Sequence, residues 1–338
     1  MTERVSVTTP GTTERASGQS SDHRYRGRVP ADMSTQQRAA FRPDRHTAYS
    51  DPGPWSHLLA AVSPDVRSVS AAARNVIVHY REALAELPTD TREDIHGRWL
   101  VRTLARDQER HGVELTEPRE LSRRVQGCCR DHTLLACAVL RQHGVAARGR
   151  VGFARYLDPD FCHDHVVVEA RLPDAGGRWV RFDPELTGPH GSLETPTDMP
   201  VGPDSPFPTA AEVWRGWRAG DLDAGLFGVA PGTPARGPWF IQSYVVRDVA
   251  HRHGDELLLW DVWGEMADPG APLPAELVAL TDRVAALTVE ADAGDPEAEA
   301  ELASLYGARL RPGSTVLRHD PFAPQIPPIT ESLDAPHA

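Results

Sequence analysis

The sequence predicts an α+β fold, in which helices come first and an antiparallel sheet follows. Helical spacing of apolar residues begins near Trp55, and no strand pattern is evident before about residue 110. The run from Leu134 to Leu140 is wholly apolar, which indicates a helix that is buried on all sides. Beyond it the apolar residues alternate with a period of two, as they do in strands. Helices and strands that are segregated along the chain are typical of the α+β class.

Apolar periodicity and turn residues predict the elements in order. Before the buried helix, helices are expected over residues 55–62, 68–86 and 92–110. After it, strands are expected over 147–154, 164–172 and 178–183, and then a loop rich in proline and glycine over 187–208. The last part of the chain is expected to hold helices over 210–218, 276–288 and 297–310, with further buried elements at 239–241 and 257–264.

Composition excludes several classes of protein. The 338 residues are 40% apolar, which is enough for a sizeable core. A formal charge of −12 argues against a nucleic-acid partner. The four cysteines all lie between positions 128 and 162, unlike those of a secreted disulfide scaffold, and no signal segment or long apolar run is present. We therefore expect a cytoplasmic, soluble protein without a membrane partner. The absence of a phosphate-binding glycine motif predicts no cofactor.

The segment Gly127-Cys128-Cys129-Arg130-Asp131 lies where a glycine-bearing loop turns into the apolar helix. A thiol at a helix N-terminus is well placed to be a nucleophile, because the helix dipole favours the thiolate and free N–H groups can bind an oxyanion. The dipole contributes only about 0.3–1 kcal/mol, so an imidazole partner is needed as well. The helix pattern does not choose between the two adjacent cysteines.

A base and an acid are predicted downstream. His165 opens the β-branched run Val166-Val167-Val168, and the next strand ends at Asp183, just before Pro184. A short Gly-Gly loop between the two strands predicts a hairpin, which would bring His165 close to Asp183. A carboxylate there would fix the imidazole tautomer and support its positive charge, as in a nucleophile–base–acid triad.

These segments resemble the transglutaminase-like superfamily. The resemblance is carried by four pieces in order: Gly127-Cys128-Cys129-Arg130-Asp131, Arg141-Gln142-His143-Gly144-Val145-Ala146-Ala147-Arg148, His165-Val166-Val167-Val168-Glu169 and Trp179-Val180-Arg181-Phe182-Asp183-Pro184. It is close over about residues 121–188, and a looser similarity to bacterial members runs from Tyr49 to about Arg318.

The resemblance implies a papain-like core and a set of catalytic residues. The family places its nucleophile immediately before Arg-Asp, which selects Cys129 over Cys128. It also selects His165, which opens the strand, over His163, and Asp183 as the acid. The chain departs from the pattern at His132, where the family often has an aromatic residue.

The activity implied by the resemblance is acyl transfer or amide hydrolysis through an acyl-enzyme on cysteine. The family includes transglutaminases, peptidases, amidases and amide-forming enzymes. We therefore expect an acyl donor that is an amide, ester or thioester, an acceptor that is water or an amine, and no metal. The Cys129 backbone N–H is the first choice as oxyanion donor, with Gln126 or Trp99 as the second.

Two alternatives stay open. The first is a binding module that keeps the fold without turnover. The second is a zinc-bound structural unit over residues 128–165, although the segment lacks a Cys-x-x-Cys or His-x-x-x-His clip. Apart from the triad, Cys137 is expected in the core, Cys162 as a loop thiol, and His132 and His163 as structural histidines.

The predicted domain organisation is one transglutaminase-like domain between two tails. Residues 1–45 have little periodicity and predict a disordered tail, and residues 319–338 predict a loose, proline-rich one. The domain, 46–318, would consist of N-terminal helices at 55–110, a catalytic core at 121–188 and a covering region at 205–318.

Overall fold

The computed structural model describes residues 41–81, 86–202 and 204–334. Its helices are α1 (Ser56–Ala60), α2 (Val66–Val76), α3 (Leu100–Arg110), α4 (Cys129–Gln142), α5 (Ala210–Ala219), α6 (Pro238–Arg252), α7 (Ala275–Asp292) and α8 (Pro296–Leu305). Its strands are β1 (Ile77–His79), β2 (Val125–Gly127), β3 (Ala147–Ala154), β4 (Cys162–Arg171), β5 (Trp179–Phe182), β6 (Phe227–Gly228), β7 (Asp261–Val262), β8 (Thr315–Arg318) and β9 (Ile329–Ser332). Helices dominate the part before β3 and antiparallel pairs form the central sheet, which confirms the predicted α+β class.

Helix α2 is shorter than the helix predicted over 68–86. Asp65 caps its N-terminus by accepting a hydrogen bond from the Ser68 N–H at 2.9 Å, and the helix ends at Val76. The next residues form β1, which pairs in parallel with β2. The expectation that no strand precedes residue 110 is therefore wrong. The β-branched residues Ile77 and Val78 find their partner strand far along the chain, where local periodicity gives no sign of it.

The helix predicted over 92–110 is divided in two. A 3₁₀ helix covers Thr89–His96, and α3 starts only at Leu100. Gly97 separates them, because its N–H closes the first helix on the Asp94 carbonyl at 2.9 Å.

Helix α4 is the buried centre of the fold. Every residue from Cys129 to Arg141 is buried, as the apolar run predicts. The helix packs against β3 and β4 on one hand and against α2 on the other. Its first residue is therefore held at the edge of the core, next to the sheet.

The central sheet has the order β3-β4-β5, with antiparallel pairs throughout, and β6 adds to β4 in parallel. The hairpin predicted from the Gly-Gly loop is present: Val168 pairs with Phe182, and Ala170 with Val180. In the other ladder His165 lies opposite Gly152. A side chain on Gly152 would meet the Pro208 carbonyl oxygen at 2.3 Å, so glycine here lets the chain of residues 208–209 cross directly over the sheet.

The C-terminal region covers this sheet. Helix α5 begins at a capping box formed by Thr209 and Glu212. Trp214 is fully buried, as expected of a core aromatic, and its ring packs edge-on against Trp217. Helix α6 contacts β3 and opens with the predicted apolar segment at 239–241.

The segment predicted as a loose tail, 319–338, contains strand β9. This strand pairs antiparallel with β8, and Glu331 from it accepts hydrogen bonds from Arg318 and the buried Arg98. The sequence pattern does not predict this short strand. It is stabilised by pairing with β8 and by an ion pair with Arg98, and Arg98 is distant from it in sequence. Residues 335–338 lie outside the described residues.

Most of the predicted N-terminal tail, residues 1–40, also lies outside the described residues. Residues 41–45 do belong to the folded part, since the Pro43 carbonyl accepts a hydrogen bond from the Ala147 N–H at 2.9 Å. Within the described ranges, none of the helices is both long enough and apolar enough to cross a bilayer.

Candidate active site

The Cys129 side chain stands at the first position of α4, and the residues around it fix that helix start. The Cys128 N–H donates to Asp131 Oδ2 at 2.9 Å. A Cβ on Gly127 would lie 2.9 Å from the same oxygen, so only glycine leaves room for the Asp131 carboxylate to reach back. The Gly-Cys-Cys-Arg-Asp motif is thus a capping device that places a thiol at the end of a helix.

Arg130 anchors this helix start to the rest of the domain. Its guanidinium is 1% exposed and pairs with Asp131 Oδ1 at 2.7 Å. It also donates to the Gly97 carbonyl at 3.3 Å and to the carbonyls of Arg98 and Glu256. The Arg-Asp part of the motif therefore fixes the position of the Cys129 thiol.

His165 and Asp183 are in direct contact, as the hairpin predicts. His165 Nε2 donates to Asp183 Oδ2 at 2.8 Å, and both side chains are buried. The hydroxyl of Tyr156 donates to the same oxygen at 2.7 Å. The other oxygen, Oδ1, accepts the Glu185 N–H at 2.9 Å. The carboxylate is thereby fixed from three sides, and the His165 Nδ1 is left as the ring nitrogen for chemistry.

The charge on His165 follows from these contacts. Burial lowers its pKa, but the Asp183 carboxylate, helped by Glu185, outweighs burial and raises the pKa to about 9. At neutral pH the ring is therefore an imidazolium. Asp183 holds the proton on the imidazole, which is the orienting role of the third member of a triad.

The Cys129 thiol differs from the expectation for a helix N-terminus. It is 3% exposed, and burial raises its pKa well above the usual value, with the neighbouring Cys128 thiol contributing in the same direction. Burial thus outweighs the helix dipole. Among the described residues the sulfur makes no hydrogen bond to His165, and its partner is Cys128. The structure therefore has a neutral thiol at the start of α4 and a charged imidazole on β4.

Comparison with known proteins identifies the core. The model of the transglutaminase-like superfamily matches residues 80–184, a range that contains Cys129, His165 and Asp183. Residues 80–184 of the chain are thus similar to the transglutaminase-like superfamily. Among curated proteins none matches the sequence significantly.

One solved structure that shares part of this chain is that of a "Putative Cysteine Protease" from Cytophaga hutchinsonii. The two sequences are 21% identical over 42% of this chain and 40% of that one, so the match spans less than half of the other protein's length. The TM-score is 0.27, which is too low for this likeness to add to the argument about the transglutaminase-like fold.

The second oxyanion donors predicted for the transglutaminase-like domain are not supported. The Gln126 side-chain amide donates to the Pro88 carbonyl at 2.7 Å and to Thr91 Oγ1 at 2.8 Å, so both of its hydrogens are used away from the thiol. Trp99 precedes α3, and its ring lies under the Arg102 guanidinium. The Cys129 N–H remains, because it meets no acceptor in the part of the chain that the structure describes.

The other cysteines and histidines have structural positions. Cys137 is fully buried inside α4, and burial raises its pKa to about 12. Cys162 lies in β4 opposite Phe227 of β6, not in a loop. His163 Nδ1 donates to the Val229 carbonyl at 2.9 Å. All four cysteines are free thiols.

The zinc unit considered over residues 128–165 finds no support in this arrangement. In the described ranges, one group of side chains could hold a metal ion, namely His165, Asp183 and Glu185, and it contains no cysteine. That group includes two members of the predicted triad, so a metal there would compete with the hydrogen bond between them.

Sequence reasoning missed three residues of the site: Tyr156, Glu185 and Tyr244. Tyr156 and Glu185 both contact Asp183. Tyr244 from α6 hydrogen-bonds Asp164, the neighbour of His165. The contact shows that the region after residue 205 reaches the end of β4 that carries His165. Of the three, Glu185 lies nearest in sequence to a predicted site residue, Asp183, but Pro184 ends the strand pattern before it.

Proposed function

We propose that the protein is a thiol enzyme that forms an acyl-enzyme on Cys129, with His165 as base and acid and Asp183 as the residue that orients it. The proposal rests on one observation above all, the buried 2.8 Å contact between His165 Nε2 and Asp183 Oδ2. This pair lies at the end of a sheet against which the Cys129 helix packs. The transglutaminase-like match supports cysteine-dependent chemistry in general.

The proposed reaction has two steps. The Cys129 thiol gives its proton to solvent, because His165 already carries one, and takes a proton back when the sulfur leaves in the second step. The sulfur attacks the carbonyl carbon of an amide, ester or thioester, with the Cys129 N–H facing the oxyanion. The His165 imidazolium gives its Nδ1 proton to the leaving group as the bond from carbonyl carbon to leaving group breaks. Water or an amine then gives a proton to His165 and attacks the thioester, and the sulfur leaves. No metal or cofactor is needed for either step.

The neutral resting thiol has a kinetic consequence. Because burial raises the pKa of Cys129, its thiolate forms only beside the positive His165, and reactivity depends strongly on that charge. Such an enzyme reacts through Cys129 and His165 together and not through an isolated Cys129 thiolate.

The test is a panel of small activated acyl donors, such as p-nitrophenyl esters and alkyl thioesters, followed by peptide mass spectrometry. We expect the acyl group on Cys129, with loss of the adduct in Cys129→Ser and retention in the neighbouring control Cys128→Ser. Adding primary amines during turnover distinguishes transferase from hydrolase, since only a transferase yields the amide faster than the acid. If no donor in the panel acylates Cys129, the domain is a binding module and the proposal fails.

A further inference from the structure

Glu185 is held in place more tightly than its position after a strand requires. Its N–H donates to Asp183 Oδ1 at 2.9 Å. The carbonyls of the two residues that flank it both accept hydrogen bonds from Arg74 Nη1 of α2, Pro184 at 3.0 Å and Leu186 at 2.9 Å. These contacts fix the backbone around one residue, whose side chain then has a defined direction.

That direction is toward His165. One carboxylate oxygen of Glu185, one nitrogen of His165 and one oxygen of Asp183 lie within 4.8 Å of one another. The Glu185 side chain is 9% exposed, so it belongs to the interior of the site.

On its other side Glu185 meets a second imidazole. His132 stands one helical turn beyond Cys129 on α4, and its Nδ1 lies 2.8 Å from Glu185 Oε1. The same Nδ1 lies 3.0 Å from the Cys128 carbonyl oxygen, which can only accept, so Nδ1 carries its proton toward that oxygen. Glu185 Oε1 is the nearer of the two acceptors, so it shares this N–H with the Cys128 carbonyl and forms a buried ion pair with His132.

A buried carboxylate is costly to keep charged unless positive groups face it. Titratable groups perturbed by burial and by specific charged partners cluster at functional sites. Here the charge lies between two imidazoles, at the start of the helix that carries the thiol. Its position one residue beyond the transglutaminase-like match, at 184, sets it apart from the residues that the match covers.

We propose that Glu185 is a further positioning residue of the reaction centre, whose carboxylate joins the His165–Asp183 pair to a second imidazole, His132, and holds both rings charged beside Cys129. The inference deepens the proposed function and rests on it. Glu185 acts through the two histidines and contacts no reacting atom.

The groups that face Glu185 come from several elements. They are His79 of β1, Cys129 and His132 of α4, Tyr156 after β3, His165 of β4, and Asp183 after β5. The charge of Glu185 acts in one direction on three of them. Burial lowers the pKa values of His132 and His165, and Glu185 raises both; burial raises the pKa of Cys129, and Glu185 raises it further. Removing the charge should therefore move all three titrations to lower pH.

The experiment measures the rate of Cys129 acylation against pH in Glu185→Gln, Glu185→Asp and the exposed control Glu194→Gln. We expect Glu185→Gln to move the midpoint of the pH profile at least about half a unit to lower pH, which is about threefold in rate on the rising limb. Glu185→Asp should restore the midpoint, and Glu194→Gln should match the wild type. His132→Gln, which removes the second charge without touching the first pair, is expected to lower the rate with a smaller shift.

The outcomes separate the two proposals. Wild-type protein that is never acylated at Cys129 overturns the proposed function. Acylated wild type with an unchanged midpoint in Glu185→Gln overturns the role of Glu185 and leaves the proposed triad standing. If Glu185→Gln fails to fold, the profile of His132→Gln decides, and an unshifted midpoint in that variant counts against the inference.

Discussion

Asp183 is the residue on which the site depends most. One carboxylate serves the His165 ring, the Tyr156 hydroxyl and the Glu185 N–H. The folded-state pKa of His165, about 9, is raised above the usual 6.5, although burial alone would lower it. A group whose pKa rises on folding contributes stability that is complete below the unfolded value and is lost as pH rises through the folded value.

For this reason Asp183→Asn should change how stability depends on pH. In wild-type protein we expect the free energy of unfolding to fall between pH 6.5 and 9 as His165 loses its proton. In Asp183→Asn this fall should be smaller. Without the Asp183 charge, nothing as strong opposes the effect of burial, and the folded-state pKa of His165 moves down toward its unfolded value. Urea unfolding at several pH values measures both slopes. Asp198→Asn, at an exposed ion pair with Arg178, is the matched control, and identical slopes in all three proteins would contradict the account.

At the scale of elements, the start of α4 depends on the space beside Gly127. A Cβ there would lie 2.9 Å from both Asp131 Oδ2 and Ile77 Cγ2, so the cap or strand β1 must shift to admit it. We expect Gly127→Ala to cost about 1–3 kcal/mol in the free energy of unfolding and to slow acylation of Cys129.

Thermal unfolding and acylation kinetics measure these two effects. Gly188→Ala is the control, because nothing lies within 4 Å of a Cβ at that position. A Gly127→Ala variant as stable and as reactive as Gly188→Ala would show that the helix start tolerates displacement.

Elements with local sequence signals could be predicted from the sequence, and those that depend on distant partners could not. The apolar run of α4, the alternation of β5 and the Gly-Gly loop are local signals, and they were enough to bring His165 to Asp183. Strand β1 and Tyr156 depend on partners distant in sequence, and Pro184 ends the ladder before Glu185, so alternation says nothing about that side chain. The direction of the Cys129 pKa also needed the structure, because burial is a property of the whole fold.

At the scale of the whole molecule, a buried ion cluster ties the sheet to the covering helices. Glu169 of β4 lies between cross-strand partners Arg148 and Arg181, and it also accepts from Arg150 at 3.1 Å. Arg150 in turn forms a bidentate pair with Asp248 of α6 at 3.0 and 2.8 Å. One glutamate thus joins three strands and, through Arg150, the C-terminal region.

Replacing Glu169 by glutamine leaves three buried guanidinium groups short of a charge. We expect a loss of about 3–5 kcal/mol in the free energy of unfolding at neutral pH. Burial would raise the pKa of Glu169, but Arg150, Arg148 and Arg181 bring it well below the usual 4.5. Its contribution is therefore present above pH 4.5 and is lost as pH falls through the lower folded value. Acid titration of stability should be shallower in Glu169→Gln than in Glu194→Gln, and equal slopes would refute this.

The central claim is that His165 activates Cys129. The most direct test is to alkylate wild-type protein and His165→Gln with iodoacetamide at several pH values. Peptide mass spectrometry then gives the rate of Cys129 alkylation in each protein. The account predicts that at pH 7.5 the wild-type rate exceeds that of His165→Gln by at least about tenfold, the equivalent of one unit in the thiol pKa. It also predicts that Cys129 reacts faster than Cys128 in the same molecules. Equal rates in the two proteins, or faster modification of Cys128, would contradict it.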